Sequence, residues 1–159
     1  MIYKSKQSNG LDYGRVFKDG VILFGTGNLG ILAMKGLEAK NIKLICFIDN
    51  NRKNQNKKFQ NFNVISVDDL KKDIYKYPIL ICSNNFRYFK RQLKSLNISN
   101  YYDANFLFDE LDLEKCETEW SQERCKIQLD LYNYAVKAAK EKQKLMLNSL
   151  DLVLTEKCS

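Results

Sequence analysis

The residues with the clearest chemical signal in this 159-residue chain form the loop GTGNLG at positions 25–30. The loop has the pattern G-x-G-x-x-G, and it lies between an apolar run, VILF, and residues with helical spacing, as a phosphate-binding loop does. In such a loop Gly25 makes the tight turn, Gly27 lets the backbone approach a phosphate, and Gly30 lets helix and strand pack closely. The free N–H groups and the dipole of the helix N-terminus then favour an anion. We therefore expect ligand contacts from Gly25, Thr26, Gly27, Asn28, Leu29 and Gly30.

Polar residues at two further strand ends would complete this pocket. Asp49 ends the apolar stretch KLICFID, 19 residues after Gly30, where an acid hydrogen-bonds ribose hydroxyls in dinucleotide-binding folds. Ser83 and Asn84 follow another apolar stretch, YPILIC, and ligands of open α/β sheets bind at the carboxyl ends of the strands. The pattern predicts a nucleotide-containing small molecule as ligand, either a nucleotide-sugar or NAD(P). The alternative is local: glycines that only serve a turn, a solvated Asp49, and polar residues that cap a helix.

Residues for catalysis are not evident in the sequence. The chain has no histidine, which excludes Ser–His–Asp and Cys–His catalysis and histidine metal sites within it. No tyrosine is followed four residues later by lysine, the pair that short-chain dehydrogenases and sugar epimerases use for proton transfer. We expect binding without turnover by this chain. Two alternatives stay open: an NAD(P)-dependent sugar oxidoreductase, and a ligand-free interaction domain that docks a partner chain or forms a homodimer.

The elements that would position these residues alternate between strand and helix. Apolar strands are predicted at 21–24, 43–49 and 77–85, a shorter one in NVISVDDL, and a last strand with a turn at 100–108; helices are predicted at 29–40 and 86–97. A helix N-capped by Ser66, with Asp69 three residues on, should follow the shorter strand. This alternation predicts an α/β fold with a Rossmann-like open parallel sheet and flanking helices.

The C-terminal part differs in kind. A long helix is predicted from Trp120 to about Lys144, and the alternating residues of LDLVL (150–154) predict a terminal strand. One apolar face of the helix is predicted to comprise Ile127, Leu131, Tyr134, Ala135 and Ala138. We divide the chain into a lead-in (1–20), a nucleotide-binding domain (21–108) and a helical connector with a first strand of a following domain (109–159).

Composition limits the partners and the compartment. The longest apolar runs are far shorter than a membrane span, and the N-terminus lacks the apolar segment of a signal peptide. The five cysteines form no C-x-x-C pair, and Cys46 and Cys82 lie in apolar stretches, so we expect reduced thiols and a cytoplasmic location. The net charge is +7, but the Lys/Asn-rich patches are typical of solvated loops, so nucleic acid is not the favoured partner.

Over residues 21–103 the segments VILFGTGNLG, CFIDNN, NVISVDDL and ILICSNN resemble the Rossmann-like N-terminal domain of bacterial surface-polysaccharide enzymes. One example is the N-terminal domain of nucleotide-sugar acetyltransferases. The resemblance implies that the glycine loop and Asp49 line a nucleotide-sugar pocket. This chain has Arg52 and Asn63 where that family commonly has proline and glycine. The β-helical acetyltransferase half is absent, so acetyl transfer is not implied.

The last residues carry a second resemblance. SLDLVLTEKCS is similar to the entry of a radical S-adenosylmethionine domain, in which the first barrel strand runs into a three-cysteine cluster motif. Cys158 falls at the first of these cysteines. The resemblance implies a longer parent enzyme that holds a 4Fe–4S cluster and S-adenosylmethionine, with the present α/β domain at its N-terminal side. The other two cysteines would lie after Ser159.

Overall fold

The computed structural model describes residues 12–70, 76–109, 111–113 and 121–156, with side chains through residue 141. The strands are β1 (Val21–Phe24), β2 (Leu44–Ile48), β3 (Lys58–Phe59), β4 (Phe62–Ile65), β5 (Ile79–Ile81) and β6 (Tyr101–Asp103). The helices are α1 (Tyr13–Val16), α2 (Asn28–Ala39), α3 (Phe86–Ser95) and α4 (Gln122–Glu156), with a short 3₁₀ helix at Asn105–Leu107. The predicted α/β class is confirmed.

The six strands form one sheet in the order β3-β4-β2-β1-β5-β6, and all neighbours except the β3–β4 pair are parallel. The chain moves outward from β1 in one direction through β2 and β4, then returns to the other side of β1 with β5 and β6. This is the Rossmann-like arrangement, and its switch point lies between β1 and β5. In register, Phe24 stands opposite both Ile48 and Ile81, so the loops after β1, β2 and β5 begin at one level.

The central strands are apolar throughout because helices cover the sheet. Every residue of β1 and β5 is buried, as expected for parallel strands in the middle of an α/β sheet. Helix α2 buries an apolar stripe that includes Leu32, Ala33 and Leu37. The strand β3 was not predicted. It forms an edge hairpin with β4 through Gln60 and Asn61, which both have positive φ, in a segment whose polar composition suggested only a loop.

The sequence assigned the wrong apolar face to α4. Ile127, Leu131 and Tyr134 are 51%, 48% and 73% exposed. The helix instead packs on the domain through a stripe offset from the predicted one, which consists of Cys125, Tyr132, Val136 and Ala139. Both stripes have helical spacing, so periodicity alone could not choose between them.

Tyr132 explains the choice of face. It is fully buried, its ring packs edge-on against Phe86 and Phe108, and its hydroxyl donates to the carbonyl of Ile81. The same hydroxyl accepts the N–H of Ala104 at 2.8 Å. Tyr132 therefore joins α4 to the ends of β5 and β6, and a second tie is the 2.7 Å ion pair from Lys140 to Asp103, at the end of β6.

The predicted terminal strand is wrong, because α4 continues through residues 150–154 to Glu156. No glycine or proline interrupts the sequence after Trp120, and Leu147, Leu150 and Leu154 have helical spacing, although residues 150–154 also alternate. A helix satisfies its backbone hydrogen bonds internally, whereas a strand needs a partner strand. Asp69 N–H donates to Ser66 Oγ at 3.1 Å as predicted, but residues 67–70 form a turn and not the start of the predicted helix, and residues 71–75 lie outside the described residues. None of the helices in the described part is both long and apolar enough to cross a bilayer.

Candidate ligand-binding site at the switch point

The loops after β1, β2 and β5 enclose one cavity of about 390 Å³ at the switch point of the sheet. The cavity is lined by Phe24, Gly25, Thr26, Gly27, Asn28, Leu29, Asp49, Asn50, Cys82, Ser83, Asn84, Phe89 and Gln128. Eight of the nine residues expected to contact a ligand are among them. The exception is Gly30, which lies behind the loop, against Gly25. The structure therefore brings together residues from three separate sequence segments.

The three glycines of the loop differ in what requires them. Gly25 has φ +122°, and a Cβ there would lie 2.8 Å from the carbonyl oxygen of Cys82. A Cβ on Gly30 would collide with the carbonyl oxygen of Gly25, which confirms its expected role in close helix–strand packing. Gly27 has an ordinary extended backbone, and a Cβ there would meet nothing within 4 Å. The fold therefore needs Gly25 and Gly30, but it does not need Gly27.

Asp49 holds the glycine loop in place. Its Oδ2 accepts the Thr26 backbone N–H at 3.0 Å, the Thr26 hydroxyl, and the Asn54 side-chain amide at 3.3 Å. Its Oδ1 accepts the Asn51 N–H at 2.7 Å. Asn54 also donates to the Thr26 hydroxyl at 3.0 Å, so the loop after β2 is tied to the loop after β1 both by the Asp49 carboxylate and directly by Asn54.

These contacts keep Asp49 ionised. Partial burial by itself raises the pKa of the carboxyl group. Hydrogen bonds from the Thr26 side chain, the Asn51 and Thr26 backbone and the Asn54 side chain outweigh burial, so the pKa lies below its ordinary value. The negative charge is thus stabilised by neutral donors and remains close to the loop that is expected to bind an anion.

On the other side of the cavity, Asn84 contacts α4. Its side-chain N–H donates to Gln128 Oε1 at 2.7 Å, while Asn84 Oδ1 is buried without a hydrogen-bond partner. A buried acceptor without a donor is costly, so a ligand hydroxyl or amide that reaches Asn84 would gain a favourable contact. Next to Asp49, Asn50 and Gln92 exchange two side-chain hydrogen bonds of 2.8 and 3.1 Å, which fix α3 against the end of β2.

The part of the chain that forms this cavity matches a known protein family. A family model described as C2185-like, N-terminal, matches residues 17–102, more than half of the chain. The chain belongs to the C2185-like N-terminal family. No curated protein and no solved structure matches the chain. The match runs from just before β1 into β6, so it covers every parallel strand and all three loops of the cavity.

Sequence reasoning missed several residues that complete the site in this C2185-like N-terminal domain. Asn54 lies in a segment whose Lys/Asn-rich composition indicated only a solvated loop, yet it bonds both Asp49 and Thr26. Gln128 lies outside the matched region, on α4, and its sequence context gives no signal of proximity to the cavity. Phe89 was predicted as part of an amphipathic helix, and it lines the cavity with its ring 4.4 Å from that of Phe24.

The thiols of this C2185-like N-terminal domain behave as buried apolar groups. Cys46 and Cys82 are free and buried, as expected from the sequence. Burial raises the pKa of Cys46 to about 11 and that of Cys82 further still. The described residues contain no group of three side chains able to hold a metal ion. Cys158, which is expected to be the first cysteine of a cluster motif, lies outside the described residues.

Proposed function

We propose that this chain is a binding module for a nucleotide or nucleotide-sugar, held in the cavity at the switch point. The observation that carries the proposal is Gly27. Asn, Asp and Ser are favoured over Gly at the N-cap of a helix, and a Cβ at Gly27 would meet nothing within 4 Å. A glycine that the fold does not need, at the mouth of a cavity, is explained by a ligand whose atoms approach the backbone.

The charge distribution supports a phosphate at this position. Helix α2 begins at Asn28 with no side chain capping it and no acidic residue in its first turn. Its N-terminal N–H groups face the cavity and, with the helix dipole, favour an anion. In this proposal Asp49 has two roles. Its Oδ2 orders the loop, and its Oδ1, which accepts one described hydrogen bond, retains an acceptor site for one ribose hydroxyl.

The titratable groups of the cavity support binding rather than proton transfer. Asp49 and Cys82 are the titratable residues among those that line it. The pKa of Asp49 is lowered and that of Cys82 is raised, so neither is close to neutral pH, where a general acid or base works best. An NAD(P)-dependent oxidoreductase would need a proton donor from elsewhere.

Thermal shift with a panel of ligands tests the proposal. UDP-, CDP- and GDP-sugars and NAD(H) would be added to the purified chain, and a ligand at about 100 times its Kd should raise Tm by roughly 5 to 10 °C. Gly27→Val should abolish the shift without lowering the Tm of the free protein. Gly14→Val in α1, at an exposed glycine away from the cavity, is the matched control and should keep the shift. No shift with any member of the panel would refute the proposal.

The similarity of LTEKCS to a radical S-adenosylmethionine entry supports a second, separate proposal about the parent protein. In it, a cluster-binding barrel follows this domain in a longer enzyme of surface-polysaccharide or sugar metabolism, and the cavity recognises its nucleotide-linked substrate in the cytoplasm. Reading the gene past the codon for Ser159 tests this. Cysteines four and seven positions after Cys158 would support the proposal, and a stop codon there would end it.

A further inference from the structure

A second cavity, of about 400 Å³, lies between α3 and α4. It is lined by Asn84, Asn85, Arg87, Tyr88, Arg91, Ala135, Ala138 and Ala139. The small alanine side chains of α4 leave the space of the groove unfilled, and the side chains of α3 form its polar wall. Tyr88 is 61% exposed, which leaves its ring available to a ligand.

The charge of this groove is positive and uncompensated. Helix α3 has four basic residues and no acidic one in the sequence FRYFKRQLKS. Within the described ranges, neither Arg87 nor Arg91 has an ion pair or a side-chain hydrogen bond, and both line the groove one helical turn apart. Lys90, on the same helix, has a pKa lowered first by burial and then by the charges of Lys94 and Lys140.

The groove and the switch-point cavity meet at Asn84, which lines both. Asn84 is also the residue with the buried and unpartnered Oδ1, so a hydrogen-bond donor placed where the two cavities adjoin would satisfy this acceptor. A sugar hydroxyl is such a donor. If the diphosphate of an extended ligand lies at the glycine loop, its sugar would lie next to Asn84, and its far end would reach Arg87 and Arg91.

We propose that the α3–α4 groove binds an anionic group on the same ligand, so that the module selects a nucleotide-sugar whose sugar is acidic. This inference rests on the proposed function and adds the chemical class of the sugar. Two neighbouring guanidinium groups suit a carboxylate or phosphate because each can donate two parallel N–H bonds. Tyr88 would cover the sugar ring, and Asn84 would bind one of its hydroxyls.

Two matched ligand pairs test this selectivity. UDP-glucuronate and UDP-glucose differ only by a carboxylate in place of a hydroxymethyl group, and GDP-mannuronate and GDP-mannose form the same comparison on a second base. By calorimetric titration we expect the acidic member of one pair to bind at least about tenfold more tightly to the wild-type chain. In the double variant Arg87→Gln/Arg91→Gln, the two members should bind equally.

The control removes the same charge elsewhere. Arg15→Gln/Lys18→Gln changes two exposed basic residues in and after α1, which line neither cavity, and should retain the preference for the acidic sugar. Equal binding of both members by the wild-type chain would overturn the inference and leave the proposed function standing. Equal loss of preference in both double variants would show general charge attraction, and this also overturns it. If a poly-glutamate peptide binds through the two arginines and the chain shows no preference for the acidic sugar, the groove is a protein-binding surface and the inference is overturned. If no nucleotide-sugar binds, both proposals fail.

Discussion

Replacement of Tyr132 by phenylalanine tests how α4 is attached to the sheet. The variant keeps the ring that packs edge-on against Phe86 and Phe108, at centroid distances of 6.4 and 5.6 Å, and it removes only the hydroxyl. That hydroxyl has two backbone partners, the carbonyl of Ile81 and the N–H of Ala104. Both partners would be left buried and unpaired, because Tyr132 has no exposed surface through which water could replace it.

The expected loss follows from these two groups. An unsatisfied buried donor or acceptor costs about 1 to 3 kcal/mol, and two are left here, so Tyr132→Phe should lower the free energy of unfolding by roughly 2 to 6 kcal/mol. This is a large part of the roughly 5 to 15 kcal/mol that stabilises a typical domain. The corresponding fall in Tm is about 5 to 25 °C for a chain of this size.

Denaturation in guanidinium chloride, with midpoint and slope fitted separately, measures the loss directly. Tyr134→Phe is the matched control, since Tyr134 lies on the same helix, is 73% exposed, and should change stability by less than about 0.5 kcal/mol. Equal midpoints for the two variants would refute the reasoning, because the Tyr132 hydroxyl would then contribute nothing to the attachment.

The same pair of variants gives a pH signature. The pKa of Tyr132 is raised well above its ordinary value, first by burial and then by the nearby Cys82. Its contribution to stability is therefore complete below the unfolded-state pKa of about 10 and is lost as pH rises further. Above pH 10 the stability of the wild-type chain should fall more steeply than that of Tyr132→Phe, whereas parallel curves would contradict the burial of this hydroxyl.

Three further predictions concern the cavity. Gly25→Ala should lower the Tm of the free protein, because residue 25 has φ +122° and a Cβ there would meet the Cys82 carbonyl. Gly27→Ala should leave Tm unchanged or slightly higher. An equal fall in Tm for both variants would contradict the distinction between the two glycines. Asp49 should stabilise the fold fully above its unfolded pKa of about 4, and this stabilisation should be lost as pH falls through the lower folded pKa. Stability should therefore fall less steeply at acid pH in Asp49→Asn than in the wild-type chain. An equally steep fall would count against the role of Asp49 in holding the loop. Cys82→Ser should not change the number of thiols that react with DTNB in the native chain, because Cys82 is buried and its pKa is raised. One fewer reactive thiol in the variant would show that the Cys82 thiol is accessible from the cavity.

Most of the parallel sheet could be predicted because its signals are local. Apolar runs such as VILF and a glycine loop between strand and helix need no distant partner to be interpreted. The edge hairpin at 58–65 was missed because Gln60 and Asn61 adopt positive φ without the glycine that usually marks such a turn. The C-terminal strand was mispredicted because LDLVL satisfies both a period of two and a helical spacing, and only continuity with α4 resolves it.

The candidate site also combines features that have local sequence signals with contacts between distant residues. Local sequence patterns were enough to predict the glycine loop, the acid Asp49 after β2 and the polar residues after β5, because parallel strands place their carboxyl ends together. The three-dimensional packing was needed to show that Asp49 ties down Thr26, that Gln128 of α4 reaches Asn84, and that two arginines border an adjoining groove. These last contacts join residues up to 44 positions apart. They depend on which of two apolar stripes α4 buries, and that choice is made by a tyrosine hydroxyl meeting two backbone groups at the ends of distant strands.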